Sequence, residues 1–478
     1  MISAARSPAR PLALPESSRT RLGVHLRQAV RDAARHGAGL AAVSWRAQGE
    51  VDPSAVVLGA RRPGEPWMCF EQPDRERSAI AALGAAVTLE DRGEGRFERV
   101  AARWRELLGR ARADAVAGPP GSGLVACGGF AFAHDGGGAH HWAAFAPASL
   151  VVGEVTVARW GAEVWCTLAV PTRPSDDPDE LLERARARLE AVESRPLPLL
   201  DPHPTARHTI SGAMAPEHYE AAVARGVEMI AAGRLEKIVL AREVDVHAPA
   251  AHDVGAVYGV LREAFGGCFV YAAGRGDAAF IGATTEVLLR RSGLRVSTVA
   301  LAGSIGRSAD PSVDDHLGER LLRSEKDREE HAIVARQIER TLRPLAVWVT
   351  MPEEPEVVRV ANIQHLATPI RAQLATPVSA VALAGMLHPT PAVGGAPREV
   401  ALPLIRALEG IDRGWYAGAL GWTDSSEDGE FCVALRCALV EGATARCYAG
   451  DGIVADSDPA QELAETEVKL GALLPVLT

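Results

Sequence analysis

The sequence holds almost no lysine. Of 51 basic residues in a chain of 478, only Lys237, Lys326 and Lys469 are lysine, and Asn362 is the only asparagine. A coding bias against A/T-rich codons leaves this signature and exchanges lysine for arginine wherever positive charge alone suffices. A surviving lysine is therefore a candidate for chemistry that arginine lacks, a compact amine able to give up its proton. Chance persistence on a solvated face is the competing explanation. Other absences exclude whole classes. No apolar run approaches the roughly 18 residues that span a bilayer. There is no basic excess: the net charge of −10 excludes a nucleic-acid binder with a basic stripe. The seven cysteines are odd in number and form no CxxC pair, so neither a disulfide framework nor a zinc site is implied, and a reducing cytoplasm is expected. The first twenty residues lack the apolar core of a secretory signal, which leaves a disordered tail over 1–20.

With 47% hydrophobic and 23% charged residues, the chain reads as an ordinary globular protein. Between 21 and 195, amphipathic helices over 97–113 and 178–194 alternate with strands over 150–158 and 163–170. The GGFAF run at 128–132 reads as a strand-to-turn junction and not a phosphate cradle, because no helix start follows it. His134, His140 and His141 have no carboxylate or cysteine spaced to join them and read as surface or structural histidines. The Pro-rich segment 196–204 marks an internal boundary between an N-terminal part, 21–205, and a core over 206–478. That core begins with a helix over 215–232 and a strand over 237–246 with Lys237 at its mouth. Strands at 268–273, 286–291 and 295–301 follow, then one long helix over 313–341 and strands at 345–350 and 363–374. Short helices near 378–386 and 397–409, strands at 415–422, 431–440 and 444–449 and a closing helix over 458–474 complete it. Several strands in succession with helices interposed irregularly predict an α+β fold with largely antiparallel sheets.

Two helices concentrate acid where a helix in water would alternate charges. On the closing helix, Glu462, Glu465 and Lys469 fall on one face. On the long helix, SEKDREEH sets Asp327 and Glu330 three apart, with Lys326 and His331 adjacent. Solvated, salt-bridged faces explain this pattern as well. Brought together, however, the two faces would repel unless a divalent cation sat between them, and a few hard oxygen ligands suit Mg²⁺ shared with an anionic substrate. Glu286 opens an apolar strand, where burial would raise its pKa and make it a proton donor near neutrality. His365 lies in IQHLATPI, where a satisfied core histidine is the plainer reading. Arg436 lies in CVALRCAL; an arginine inside a strand usually pairs with a buried carboxylate, but one with no acid on its own strand is also how a clamp for a substrate carboxylate is presented.

The segments EKIVLARE, GATTEVLLR, LAGSIGR, SEKDREEH, IQHLATPI, LHPTPAVGGAP, RGWYAGALGW, ALRCAL, YAGDGIV and ELAETEVKL resemble, in this order, the motifs of the chorismate-utilising enzymes. That family comprises the isochorismate, salicylate, anthranilate and aminodeoxychorismate synthases. Within it the chain looks like the isochorismate synthase branch. The family's water-activating lysine falls on Lys237, where ammonia-using members carry glutamine. Ala302 stands where amine-inserting members carry a lysine nucleophile, and HPTPAVGG at 388–395 fits the isochorismate-forming branch.

The resemblance implies one large α+β unit of antiparallel sheets with helices outside, the N-terminal part included, and a Mg²⁺-dependent isomerase that converts chorismate to isochorismate. Lys237 is then the general base and Glu286 the general acid. Glu330 and Glu465 are Mg²⁺ ligands, with Glu462 beside them. Arg436, the Gly450 backbone, His365, Lys469, Ala302 and Gly303 contact substrate. A salicylate synthase that goes on to eliminate pyruvate is the neighbouring alternative, and the product's destination is menaquinone, a siderophore or another compound. The resemblance further implies a cytoplasmic monomer with no amidotransferase subunit, nucleic acid or membrane as partner. Asp451 departs from the family pattern, which has a small residue there.

Overall fold

A computed structural model describes residues 12–201, 207–360 and 363–478. Two large sheets form the frame. The first, of 12 strands, runs from Gly39–Arg46 at one edge to Lys237–His247 and Gly395–Ala396 at the other. The second, of 10, runs from Ala346–Thr350 to Val87–Asp91. Strand pairs in both are antiparallel, as the irregular interposition of helices implies.

Both sheets mix strands from the two halves of the sequence. In the first, Gly64–Gln72 pairs with Phe269–Gly276; in the second, Val125–Phe130 pairs with Ala419–Asp424. The Pro-rich segment therefore separates no independent unit, in agreement with the family fold; its residues 202–206 lie outside the described residues. The tail expected over 1–20 is contradicted at its C-terminal end. Helix Glu16–His36 starts inside it and buries Leu22, Leu26, Ala29 and Ala33, and residues 1–11 lie outside the described residues.

Aromatic residues are only 5% of the sequence, yet they are concentrated in the core. Trp142 packs edge-on against Phe145 at 5.8 Å and Phe280 at 5.5 Å, and Phe145 against Trp415 at 5.0 Å. All seven cysteines are buried and free. Among the described residues, no helix is long and apolar enough to cross a membrane.

Three expected elements are each two. The run 150–158 splits at Gly153 into Ala148–Val152 of the second sheet and Val155–Trp160 of the first. The helix over 313–341 breaks at Ser324, whose extended backbone and hydroxyl cap the next helix, Glu325–Leu342, at the Asp327 N–H (3.3 Å). The strand over 431–440 breaks into Gly429–Val433 and Cys437–Glu441, which belong to different sheets.

A buried ion pair anchors the helix Arg398–Glu409 to the strand that carries Lys237. Arg413 pairs with Glu409 and donates to the carbonyls of Val393 (2.8 Å) and Val239 (3.0 Å), while Glu409 accepts from the Ala241 N–H at 2.7 Å. Removing one partner strands the other charge in the core, which typically costs about 3–5 kcal/mol. Glu409→Ala is expected to lower the denaturant midpoint accordingly. A midpoint within error of wild type would show the clamp to be dispensable.

Candidate active site

Two of the places where the polypeptide passes between the sheets each present one functional side chain. Glu286 lies between Ala278–Thr284 of the first sheet and Val287–Ser292 of the second. Arg436 lies on the return, between Gly429–Val433 and Cys437–Glu441, with φ +47. The crossings are tied together: the Ala283 N–H donates to the Arg436 carbonyl (3.2 Å) and the Val433 N–H to the Glu286 carbonyl (2.9 Å). Both side chains line one cavity.

Lys237 begins the strand Lys237–His247 and is held between Ala396 on one side and the strand Thr444–Ile453 on the other. It is fully buried, and its Nζ lies 2.9 Å from Oε1 of Glu330, its ion-pair partner. Gly452 makes this contact possible. A Cβ there would fall 2.2 Å from Oε1 of Glu330 and 2.8 Å from Cε of Lys237. Gly452→Ala is accordingly expected to lower kcat at least 10-fold while leaving the circular dichroism spectrum unchanged, because displacements of about an ångström at a reacting centre have effects of that order. Near-normal turnover would show the Lys237–Glu330 contact to be adjustable.

Burial pushes the Glu286 carboxyl up to about 7, against the opposing pull of Lys237, Arg436 and a hydrogen bond with Thr390. Near neutral pH the group is thus divided between acid and base. Arg436 is half-buried and forms no ion pair among the described residues, so its guanidinium is available to an incoming carboxylate. Burial, then the charges of Arg436 and Lys469, take His365 down to about 3. This neutral imidazole has Nδ1 3.2 Å from the Gly303 carbonyl, so that nitrogen carries the proton and Nε2 is left as an acceptor. Gly303 sits in a bulge between Ala302 and Ser304, with φ +72 and Asp327 Cβ 3.0 Å from where its own Cβ would stand, a place that disfavours a side chain. Ala302 and Gly303 both line the cavity.

The two acidic helices meet over this cavity. Oxygens of Asp451, Glu462 and Glu465 lie within 4.8 Å of one another. Glu462 accepts from Lys326 at 2.7 Å. Glu465 pairs with Lys469 at 2.9 Å and accepts from Ser304. Burial opposes ionisation of Glu465, but Lys469 and the hydrogen bonds of Asp451 and Ser304 hold it at about 2. Asp451 moves the other way: burial, with the Glu465 charge adding to it, raises its pKa well above the usual range despite Lys469. Lys469 itself stays charged, since Asp451 and Glu465 outweigh its burial, and it donates to the Gly450 carbonyl at 3.2 Å. Three hard carboxylates at this spacing fit a small divalent cation.

The candidate catalytic, substrate-contacting and metal-ligating residues line this one cavity, except Lys237, which reaches it through Glu330; His331 is not among them and instead lies 2.7 Å from the Thr368 hydroxyl. The acidic cluster differs in membership from the expected ligand set. Asp451 joins Glu462 and Glu465, while Glu330 lines the same cavity but faces Lys237. Sequence reasoning missed Asp451 as a member and Gly452 as a spacer. The signal for both was the GDG in YAGDGIV, in which a charged residue stands between two glycines of a buried strand.

Two interleaved antiparallel sheets and a closed site that sets a proton donor, a buried lysine and an unpaired arginine beside clustered carboxylates define an enzyme for a small anionic substrate. The comparisons say which one: the profile of the chorismate binding enzymes matches residues 26–478, and the chain belongs to that family. It is 39% identical over 435 residues to a salicylate biosynthesis isochorismate synthase of Pseudomonas aeruginosa, spanning 90% of this chain and 89% of the relative. It superimposes on MenF, the menaquinone-specific isochorismate synthase from Escherichia coli, with a TM-score of 0.77 and 25% identity, covering 95% of this chain and 100% of that one. Anthranilate synthase component I from Streptococcus pneumoniae shares the fold, with a TM-score of 0.66 at 21% identity over 84% of this chain and 92% of that one.

Proposed function

We propose that the chain is an isochorismate synthase, a Mg²⁺-dependent isomerase that adds water at C2 of chorismate and expels the C4 hydroxyl. The observation that carries this reading is the juxtaposition of Lys237 and Glu286: a fully buried amine in contact with the cavity-lining Glu330, and a cavity-lining carboxyl held near neutrality by burial. Lys237, in its unprotonated form, takes the proton of the attacking water, with Glu330 beside its amine. Glu286 delivers a proton to the departing hydroxyl, which requires it to be the protonated fraction of its population. Arg436 and the Gly450 backbone hold a substrate carboxylate, and neutral His365 accepts a hydrogen bond through Nε2. Glu462 and Glu465, joined by Asp451, would hold the Mg²⁺, with Glu330 at hand. When bound, the ion supplies positive charge that anchors a substrate carboxylate among glutamates.

The near full-length match to a salicylate biosynthesis isochorismate synthase supports release of isochorismate over in-place elimination of pyruvate. A lactate dehydrogenase-coupled assay separates the two. The purified protein should consume chorismate only with Mg²⁺ present, lose that activity to EDTA, regain it on adding Mg²⁺, and release no pyruvate. Stoichiometric pyruvate would make it a salicylate synthase.

A further inference from the structure

On the far side of the 388–395 segment lies a second groove, of about 1250 Å³, lined by Arg96, Phe97, Phe132, His388, Arg398 and Leu402 among others. Two helices begin in it. Arg96–Arg110 follows Gly95 and Arg398–Glu409 follows Pro397, and neither has a side-chain cap. Each therefore opens with unsatisfied N–H groups and the positive end of its dipole, and each places an arginine at its first position, where the dipole disfavours a cation.

The two arginines lack anionic partners. Arg96 is 6% exposed; one of its terminal nitrogens donates to the Ala131 carbonyl at 2.7 Å, and its buried Nε has no partner. Arg398, on the rim, forms no ion pair or hydrogen bond among the described residues. The neighbouring acids are engaged or turned to solvent. Asp135 pairs with Arg406 and Glu409 with Arg413. Asp412 accepts from the backbone of Gly137, Ala139 and Gly414, and Glu94, Glu98 and Glu399 are exposed, Glu94 lying 4.0 Å from His134. Burial first, then the nearby Arg398 charge, lower the Arg96 guanidinium to about 10, with Glu98 and Asp135 opposing them. His388 lies near both and stays neutral at about 3, so it relieves neither.

We propose that this groove is a binding site for a small carboxylate- or phosphate-bearing molecule, its anionic group held by Arg96, Arg398 and the two helix N-termini, with Phe132 and Leu402 as an apolar wall. Bidentate guanidinium contacts and free helix N–H groups are the usual means of holding such groups. The site is separate from the active-site cavity and does not depend on which reaction that cavity performs.

The test is calorimetric titration of the full chain, in low-salt buffer free of oxyanions, with inorganic phosphate and in parallel with benzoate. Wild type should bind at least one probe at a single site. Arg398→Ala, a change at an exposed position, should weaken it about 10-fold or more, and Arg436→Ala should leave it unchanged. Phosphate alone binding identifies a phosphate ligand; tighter benzoate identifies an aromatic carboxylate. No binding of either probe up to about 10 mM, or binding that survives Arg398→Ala and disappears in Arg436→Ala, would overturn the proposal.

Discussion

Lys237→Gln is expected to lower kcat by 10²–10⁴-fold, the range that general-base catalysis supplies, while the protein remains folded. Glutamine keeps much of the side chain's length and a donor for Glu330, but it cannot accept a proton from water. Lys237→Arg should lose as much activity for two reasons. The guanidinium does not give up its proton, and there is little room for a larger head group, since even a Cβ at Gly452 would fall 2.8 Å from Cε of the lysine. Lys237→Ala should lose activity and stability together, because it leaves the Glu330 carboxylate without its cation in a buried setting. Thermal unfolding run alongside steady-state kinetics separates these effects. A folded Lys237→Gln within 10-fold of wild-type kcat would remove the base assignment.

Glu286→Gln is expected to move activity and stability in opposite directions. The carboxyl titrates at about 7 in the folded protein against 4.5 as its ordinary value. The folded state thus binds the proton more tightly than the unfolded chain does, and the stability tied to that proton is present below pH 4.5 and lost as pH rises through about 7. At 1.36 kcal/mol per pH unit the loss amounts to about 3 kcal/mol by pH 8. Glutamine does not titrate, so Glu286→Gln should unfold at higher denaturant than wild type at pH 8 and show no such gain at pH 4. Its kcat should fall at least 100-fold, the lower end for general-acid catalysis. In wild type the protonated fraction of Glu286 declines about tenfold per pH unit above roughly 7, and kcat follows it only where Lys237 is already unprotonated. Equal stability of the two proteins at pH 8 would contradict the placement of this carboxyl.

Much of the site was legible because its chemistry depends on residue types that stand out in this composition. Lys237 and Lys469 were conspicuous as lysines in an arginine-rich chain, and both lie at the site. Lys326, for which the sequence offered only a suspicion, donates to Glu462 and so joins the two acidic helices. The helix spacing of Glu462 and Glu465 predicted a shared face, and the structure keeps it. Less legible were the places where tertiary structure overrides periodicity. In the run 150–158 the strand-like alternation carries on across Gly153 and Glu154, so period alone does not show that its halves enter different sheets. At 434–436 the cost of a positive φ at Arg436 is borne by a crossing that only the assembled sheets define. The break at Ser324 was readable in principle, since Ser followed three residues later by Asp is a helix start, but the continuing apolar spacing on either side masked it. Asp451 looked like a departure because sequence shows neither its burial nor the Lys469 ammonium that compensates it.

The most direct test of the central claim, that this site adds solvent water at C2 while the C4 hydroxyl leaves, is the reaction of chorismate and Mg²⁺ in H₂¹⁸O, followed by mass spectrometry of the separated product. The account predicts a product that retains its enolpyruvyl group, is heavier than chorismate by two mass units, and carries the label at C2. An unlabelled isomer, pyruvate release, or unchanged chorismate despite measurable binding would contradict it.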